Sequence, residues 1–191
     1  PFAIMGPRSG QGTLYETRNV HASPEKAQRV LAGLTRVAGE SASHLVQLTY
    51  LTGLPEKERR ALLFTRLAMK TGPDVMRLLT DQRVNLLVQA VRYLQTEAHL
   101  LCGFVRFTEE DGTLVSFISP RNDVLPLLDI HFSDRFPEER FIIYDRTHRK
   151  ALMHLPDASR IVPLNELKRP AASQRELDIQ MLWRRFHQTI A

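Results

Sequence analysis

Two short runs of β-branched and aromatic residues, GFVRF (Gly103 to Phe107) and TLVSFIS (Thr113 to Ser119), flank the tripeptide Glu110-Asp111-Gly112. Asp-Gly between such runs is a strong hairpin signal, because a tight turn joining twisted strands needs residues that tolerate positive φ. The pairing predicts a β-hairpin here and constrains everything around it. After Pro120 a loop, RNDVLPLL, leads to HFSDRF, where Phe132 and Phe136 lie four apart around His131 and Arg135. That spacing predicts a short helix with a polar and an aromatic face. RFIIYD then reads as a strand ending at Asp145, RTHRK (Arg146 to Lys150) as a basic turn, and ALMHL as the next strand. ASRIVPL reads as an edge strand, since Pro163 is unwelcome inside a sheet.

Upstream the period changes from two to about 3.6. Ser23-Pro24-Glu25 has the form of a helix start, with Ser as cap and Pro at the first helical position. Val30, Leu31, Leu34 and Val37 follow as its apolar face. A second helix is predicted from about Ser41 to Leu51. A third starts at Pro55, with Leu62, Leu63, Leu67 and Met69 facing a core, and breaks at Gly72-Pro73. Thr80-Asp81 should cap the longest helix, roughly 81–102, which presents Val84, Leu87, Val88, Val91, Leu94 and Ala98 at helical spacing. At the other end, Ser173 and Glu176 have capping-box spacing for a last helix carrying Leu177, Met181, Leu182, Trp183 and Phe186. The first twelve residues and Gly10 to Gly12 read as irregular, and TLYETRNV as a short edge strand. The sum is a single α+β domain over 1–191. It is mainly helical over 20–102, with a small antiparallel sheet and a closing C-terminal helix over 103–191.

Composition narrows the classes. At 191 residues, 43% hydrophobic and 25% charged, the chain has the makings of an ordinary globular core. No apolar run approaches the ~20 residues of a membrane helix, and no secretory signal is visible. Cys102 is the one cysteine, which rules out an internal disulfide and suits a reducing, cytoplasmic compartment. Its apolar setting, HLLCGF, reads as structural rather than nucleophilic. The net charge of +5 belongs to residues 1–100, where 13 Lys and Arg face 8 Asp and Glu; the remainder balances at 13 each. Such a balance permits nucleic-acid binding without specifying it. The start at Pro1 and the stop at Ala191 inside an apparent helix read as trimmed ends.

Several residues carry candidate chemistry, each with a bland counterpart. His131 and Arg135 suit a base or phosphate contact, or else tie down a loop while Phe132 and Phe136 anchor a core. Arg106, between Phe104 and Phe107, is a phosphate ligand or an ion pair with Asp123, Asp134 or Asp145. Arg146, Arg149 and Lys150 would lie along DNA phosphates at the tip of a hairpin, or form a solvated turn. His131, His99 and Asp145 are the acid/base candidates for a catalytic reading. His131, His148, His154 and Asp145 lack the short spacing of a metal site, so neither a metal nor a cofactor is expected.

The ordered blocks EAHLLCGFVRF, SPRNDVLPLL, HFSDRFPEERFIIYD and LWRRFHQTIA resemble a bacterial family of DNA metabolism proteins defined by domain of unknown function 4130. The resemblance covers roughly Glu16 to Ala191, and Phe141 stands where the family usually has Trp. It implies an accessory role in DNA metabolism or repair. The implied partners are DNA, a radical S-adenosylmethionine protein that modifies or repairs DNA, and a uracil-DNA-glycosylase-like domain. One cysteine cannot supply the three thiolates of a radical cluster, so that chemistry would belong to the partner. Two other readings stand beside it: an enzyme acting on a damaged or modified nucleobase, and an interaction domain that never touches nucleic acid.

Overall fold

The computed structural model describes residues 20–167. The expected closing helix with its Trp183, and the segments before Val20, lie outside them. Contacts divide the chain into two compact units, Pro1–Arg92 and Tyr93–Ala191.

The first unit is helical. Helix α1 (Pro24–Ala38) starts as its sequence dictates, with the Ser23 hydroxyl accepting from the Lys26 amide at 3.3 Å. Gly39, at φ 89°, makes the corner into α2 (Glu40–Thr49), a conformation that a side chain would strain. Helix α3 (Lys57–Thr71) ends at Gly72 and passes into a 3-10 turn over Gly72–Arg77. Helix α4 (Gln82–Phe104) begins beyond Asp81, whose carboxylate accepts from the Arg83 amide at 2.9 Å and from its guanidinium at 3.0 and 2.6 Å. Leu34, Leu45, Val46, Phe64, Val84 and Leu87 are among the residues that close the core.

One face is rotated from the sequence expectation. Along α3 the buried residues are Ala61, Phe64 and Ala68, while Leu62 and Met69 are 41% and 47% exposed. Of the expected residues Leu67 does pack, partly buried, against the core and Leu63 is half-buried, but the centre of the inward face is a stripe of two alanines around one large ring, letting helices approach closely. On α1, similarly, Leu34 and Ala38 are buried and Val30 is exposed.

Arg83 hydrogen bonds hold the Asp81 carboxyl down at about 2, below its ordinary value of 3.8. A depressed carboxyl stabilises the fold above the unfolded-state value and loses that contribution as pH falls through the folded one. Acidifying from about pH 4 to pH 2 should therefore remove this cap's contribution. An Asp81→Asn variant, compared with wild type by urea midpoints across that range, should lack this part of the acid slope. Identical slopes would show that the pair contributes nothing.

The second unit carries a five-stranded sheet in the order β1 (Thr108–Glu110), β2 (Thr113–Ile118), β3 (Phe141–Asp145), β4 (Lys150–Leu155), β5 (Ala158–Pro163). The hairpin at Asp111-Gly112 forms as expected, with φ 49° and 70° at its centre and Glu110 opposite Thr113. The α+β class holds, but the sheet is mixed rather than antiparallel. Strand β2 runs parallel to β3, Leu114 facing Phe141 and Ile118 facing Asp145. A parallel pair needs a long crossover, and the segment carrying α5 (Leu125–Arg135) supplies it. All five residues of β3 are buried, consistent with a central strand reading as an uninterrupted apolar run.

GFVRF is not a strand. Helix α4 continues through Gly103 to Phe104, the Val105 amide still bonds to the Leu101 carbonyl at 2.9 Å, and pairing starts only at Thr108. A lone glycine costs a helix about 1 kcal/mol, too little to stop one this long. Phe107 instead drives its ring into an aromatic cluster. It meets Phe132, Phe136 and Phe141 edge-on at centroid distances of 5.3, 5.6 and 6.1 Å.

Candidate nucleic-acid interface

The β3–β4 turn is organised by Asp145. Its side chain is fully buried, and one carboxylate oxygen accepts from the amides of Thr147 (2.8 Å) and His148 (3.1 Å). The other oxygen meets His148 Nδ1 at 2.6 Å. Arg149 takes a left-handed φ of 54°, and its carbonyl accepts from the Leu164 amide at 2.8 Å. These bonds consume the polar groups inside the turn and turn Arg146, Thr147 and Arg149 outward to solvent. Asp145 is thus a structural carboxylate, saturated by its own turn. Lys150 bonds to Asp123, so its ammonium is already engaged.

The Phe117 ring links two of the expected basic residues, Arg146 and Arg106. The Arg146 guanidinium lies 4.8 Å above the Phe117 ring. Phe117 and Arg106 line one groove, of about 640 Å³, together with Leu101, Phe104, Glu110 and Ser119. The groove exists because the chain leaving α4 joins the sheet only at Thr108, opposite Val115, leaving space beside the rest of β2. Arg106 itself is exposed and lies outside any strand, with Asp123 and Asp145 committed to Lys150 and His148. Next to Arg106, Phe107 touches Phe136, and Phe136 carries the Arg135 guanidinium at 5.5 Å. Among the described residues, Arg106, Arg135, Arg146 and Arg149 have no carboxylate within ion-pair distance. Arg106 and Arg146 thus meet at one groove through Phe117, whereas Arg135 and Phe136 lie with Phe132 and Phe141 on the opposite face of the sheet. Guanidiniums beside aromatic rings, as at the groove, suit polyanions that carry planar groups.

His131 sits edge-on against Phe132 at 4.9 Å, with its Nε2 buried and without a partner among the described residues. His99 is exposed on α4, and no second acid/base group accompanies it among the contacts of the described residues.

A polar cluster that sequence reasoning missed lies between α5 and the sheet. His154 is buried, stacked on Phe141 at 4.5 Å, and its Nδ1 is 3.1 Å from the Ser133 hydroxyl. Ser133 bonds to one oxygen of Asp129 at 3.0 Å, and Ser159 donates to the other at 2.8 Å. Because Ser133 has one proton and Asp129 can only accept, the hydroxyl donates to Asp129 and accepts from His154 Nδ1–H. The carboxylate therefore polarises the serine rather than the histidine. That order differs from a nucleophilic triad, in which the acid holds the histidine and the histidine takes the serine proton. Glu97 was missed as well. It accepts from the amides of Arg121 (2.7 Å) and Asn122 (2.9 Å) and from the Asn122 side chain (2.7 Å), tying α4 to the loop before α5. Contacts spanning more than twenty residues leave no local signature.

Cys102 is half-buried, and burial pushes its thiol above the ordinary value, away from a reactive thiolate. Among the described residues, no three His, Cys, Asp or Glu cluster as metal ligands. No helix among them is long and apolar enough to cross a membrane. Compared with known sequences, the family model described as a domain of unknown function, number 4130, matches residues 55–191. No curated protein matches the chain, and no solved structure does.

Proposed function

This chain belongs to the family of domain of unknown function 4130, and from that premise we propose that it is an accessory protein of cytoplasmic DNA metabolism or repair. It binds DNA through the arginines beside the groove and presents it to a partner enzyme. One observation carries the DNA contact: the exposed Arg106 and Arg146, without carboxylate partners among the described residues, meet at one aromatic-lined groove of the second unit through Phe117, with the exposed Arg149 on the same turn as Arg146. Phosphates satisfy guanidiniums bidentately, and aromatic faces between them accept bases. The radical S-adenosylmethionine or glycosylase-like partner rests on the family resemblance and not on this geometry. The enzyme reading has less support: among the described residues Asp145 is taken up by its own turn, and His131 Nε2 has no partner.

Fluorescence anisotropy with labelled DNA over a salt series tests the proposal. The chain should bind at low salt and weaken steeply as salt rises. Arg146→Glu with Arg149→Glu should lower the slope of log affinity against log salt by about 2, one for each phosphate no longer neutralised. Unchanged affinity and slope in a folded double variant would remove the hairpin from the interface. Failure of the unaltered chain to bind any DNA at low salt would leave the interaction-domain reading.

A further inference from the structure

We infer that the exposed face of α4 from Tyr93 to Phe104, with the groove beside it, takes an unpaired DNA strand, one base entering the groove. The inference rests on the DNA-binding reading above and names its substrate. Tyr93, Leu100 and Phe104 are 70%, 51% and 70% exposed. Their spacing of seven and four residues puts them on one stripe of the helix. The same stretch buries Leu94 and Ala98 on its other side, so this second apolar stripe is not what the core requires. Large aromatic rings standing in water at both ends of a stripe call for a ligand with flat apolar faces.

Charge points the same way. Glu97, the acid within this stretch, is occupied by the amides of Arg121 and Asn122. His99 is exposed on the helix, and Arg106 stands where the stripe ends. Phe104 and Arg106 both line the groove, whose 640 Å³ lies in the range of small-ligand pockets. Its other polar lining, Glu110, Thr108 and Ser119, can accept hydrogen bonds from the N–H groups of a base edge. A carboxylate there disfavours a bare phosphate and suits a base whose phosphate lies outside on Arg106.

The geometry also selects single strands. Duplex DNA hides its base faces in the stack, so exposed rings gain little from it. Eleven residues of helix separate Tyr93 from Phe104 by about 16 Å, far more than the ~3.4 Å step between stacked bases. The two rings therefore hold bases that are not neighbours, on a strand free to splay. A stable protein partner would need about 800 Å² on this side, which three side chains do not supply.

Anisotropy at matched salt with three probes decides the matter: a short oligothymidylate, an abasic strand of the same length, and a duplex. The chain should bind the oligothymidylate at least ~10-fold more tightly than the abasic strand. Phe104→Ala and Tyr93→Ala, both at exposed positions that spare the core, should each shrink that gap without changing the salt slope. Arg106→Ala should lower the single-strand slope by about 0.7. Equal binding of thymidylate and abasic strands, or a preference for duplex, overturns this inference while leaving the DNA-binding reading intact. No binding to any probe overturns both.

Discussion

Replacing Asp145 by alanine should destabilise the second unit by about 3 kcal/mol or more. The carboxylate is fully buried and accepts three hydrogen bonds, from the amides of Thr147 and His148 and from the His148 ring. Bonds to a charged acceptor contribute about 1.5–3 kcal/mol each. Some of this is recovered because Thr147 is exposed and its amide can turn to water. Asp145→Asn keeps an acceptor for both amides and forfeits mainly the charge-assisted bond to His148, so it should cost less than alanine. Urea unfolding of both variants checks the order. The His148 ring supplies an independent readout: its imidazole resonances should move in both variants. If Asp145→Ala unfolds at the wild-type midpoint, the turn holds itself, and Asp145 becomes available again as a functional acid.

Phe141→Ala should be the costliest single truncation, at about 3–5 kcal/mol, the usual range for emptying a phenylalanine from a core. Its ring has no exposed surface, stacks on His154, and meets Phe107 and Phe132 edge-on. Removal opens a cavity and strips the apolar cover from an imidazole whose Nε2 is buried without a partner among the described residues. Thermal or urea unfolding reads the effect. A cost below about 1 kcal/mol would mean that the cluster collapses around the gap and that the ring does not position α5. Phe141→Trp tests room rather than removal; overpacking of a filled core costs about 1–3 kcal/mol.

Both variants bear on the exposed arginines through different routes. Asp145 shapes the turn that carries Arg146 and Arg149, while Phe141 anchors the ring cluster between Arg106 and Arg135. A folded Asp145→Asn protein with weakened DNA binding would tie turn shape to phosphate contact.

What the residues determined by themselves was local. Ser23 and Pro24 start α1, Asp81 caps α4, and Asp111-Gly112 closes the first hairpin, because caps and turns are decided by backbone groups within four residues. The strand FIIYD and the basic turn after it were legible for the same reason. So were the exposed positions of Arg146 and Arg149, since a short hairpin has nowhere to bury long cationic side chains.

Tertiary structure decided the rest. Which stripe of α3 faces inward depended on how close its neighbours come, and alanines beside Phe64 won over a more hydrophobic stripe. Gly103 and Phe104 stayed with α4, and Phe107, between helix and strand, packs against three aromatic partners instead of taking a ladder position. The parallel register of β2 and β3 followed from a crossover that no local pattern announces. Arg106 and Arg146 come from separate segments that meet at one groove, and Ser133 of α5 meets His154 of β4 across twenty-one residues. The second meeting is set by where α5 lies on the sheet. Short-range patterns record what the backbone does at each step, whereas a site records which steps end up adjacent, and packing alone determines that.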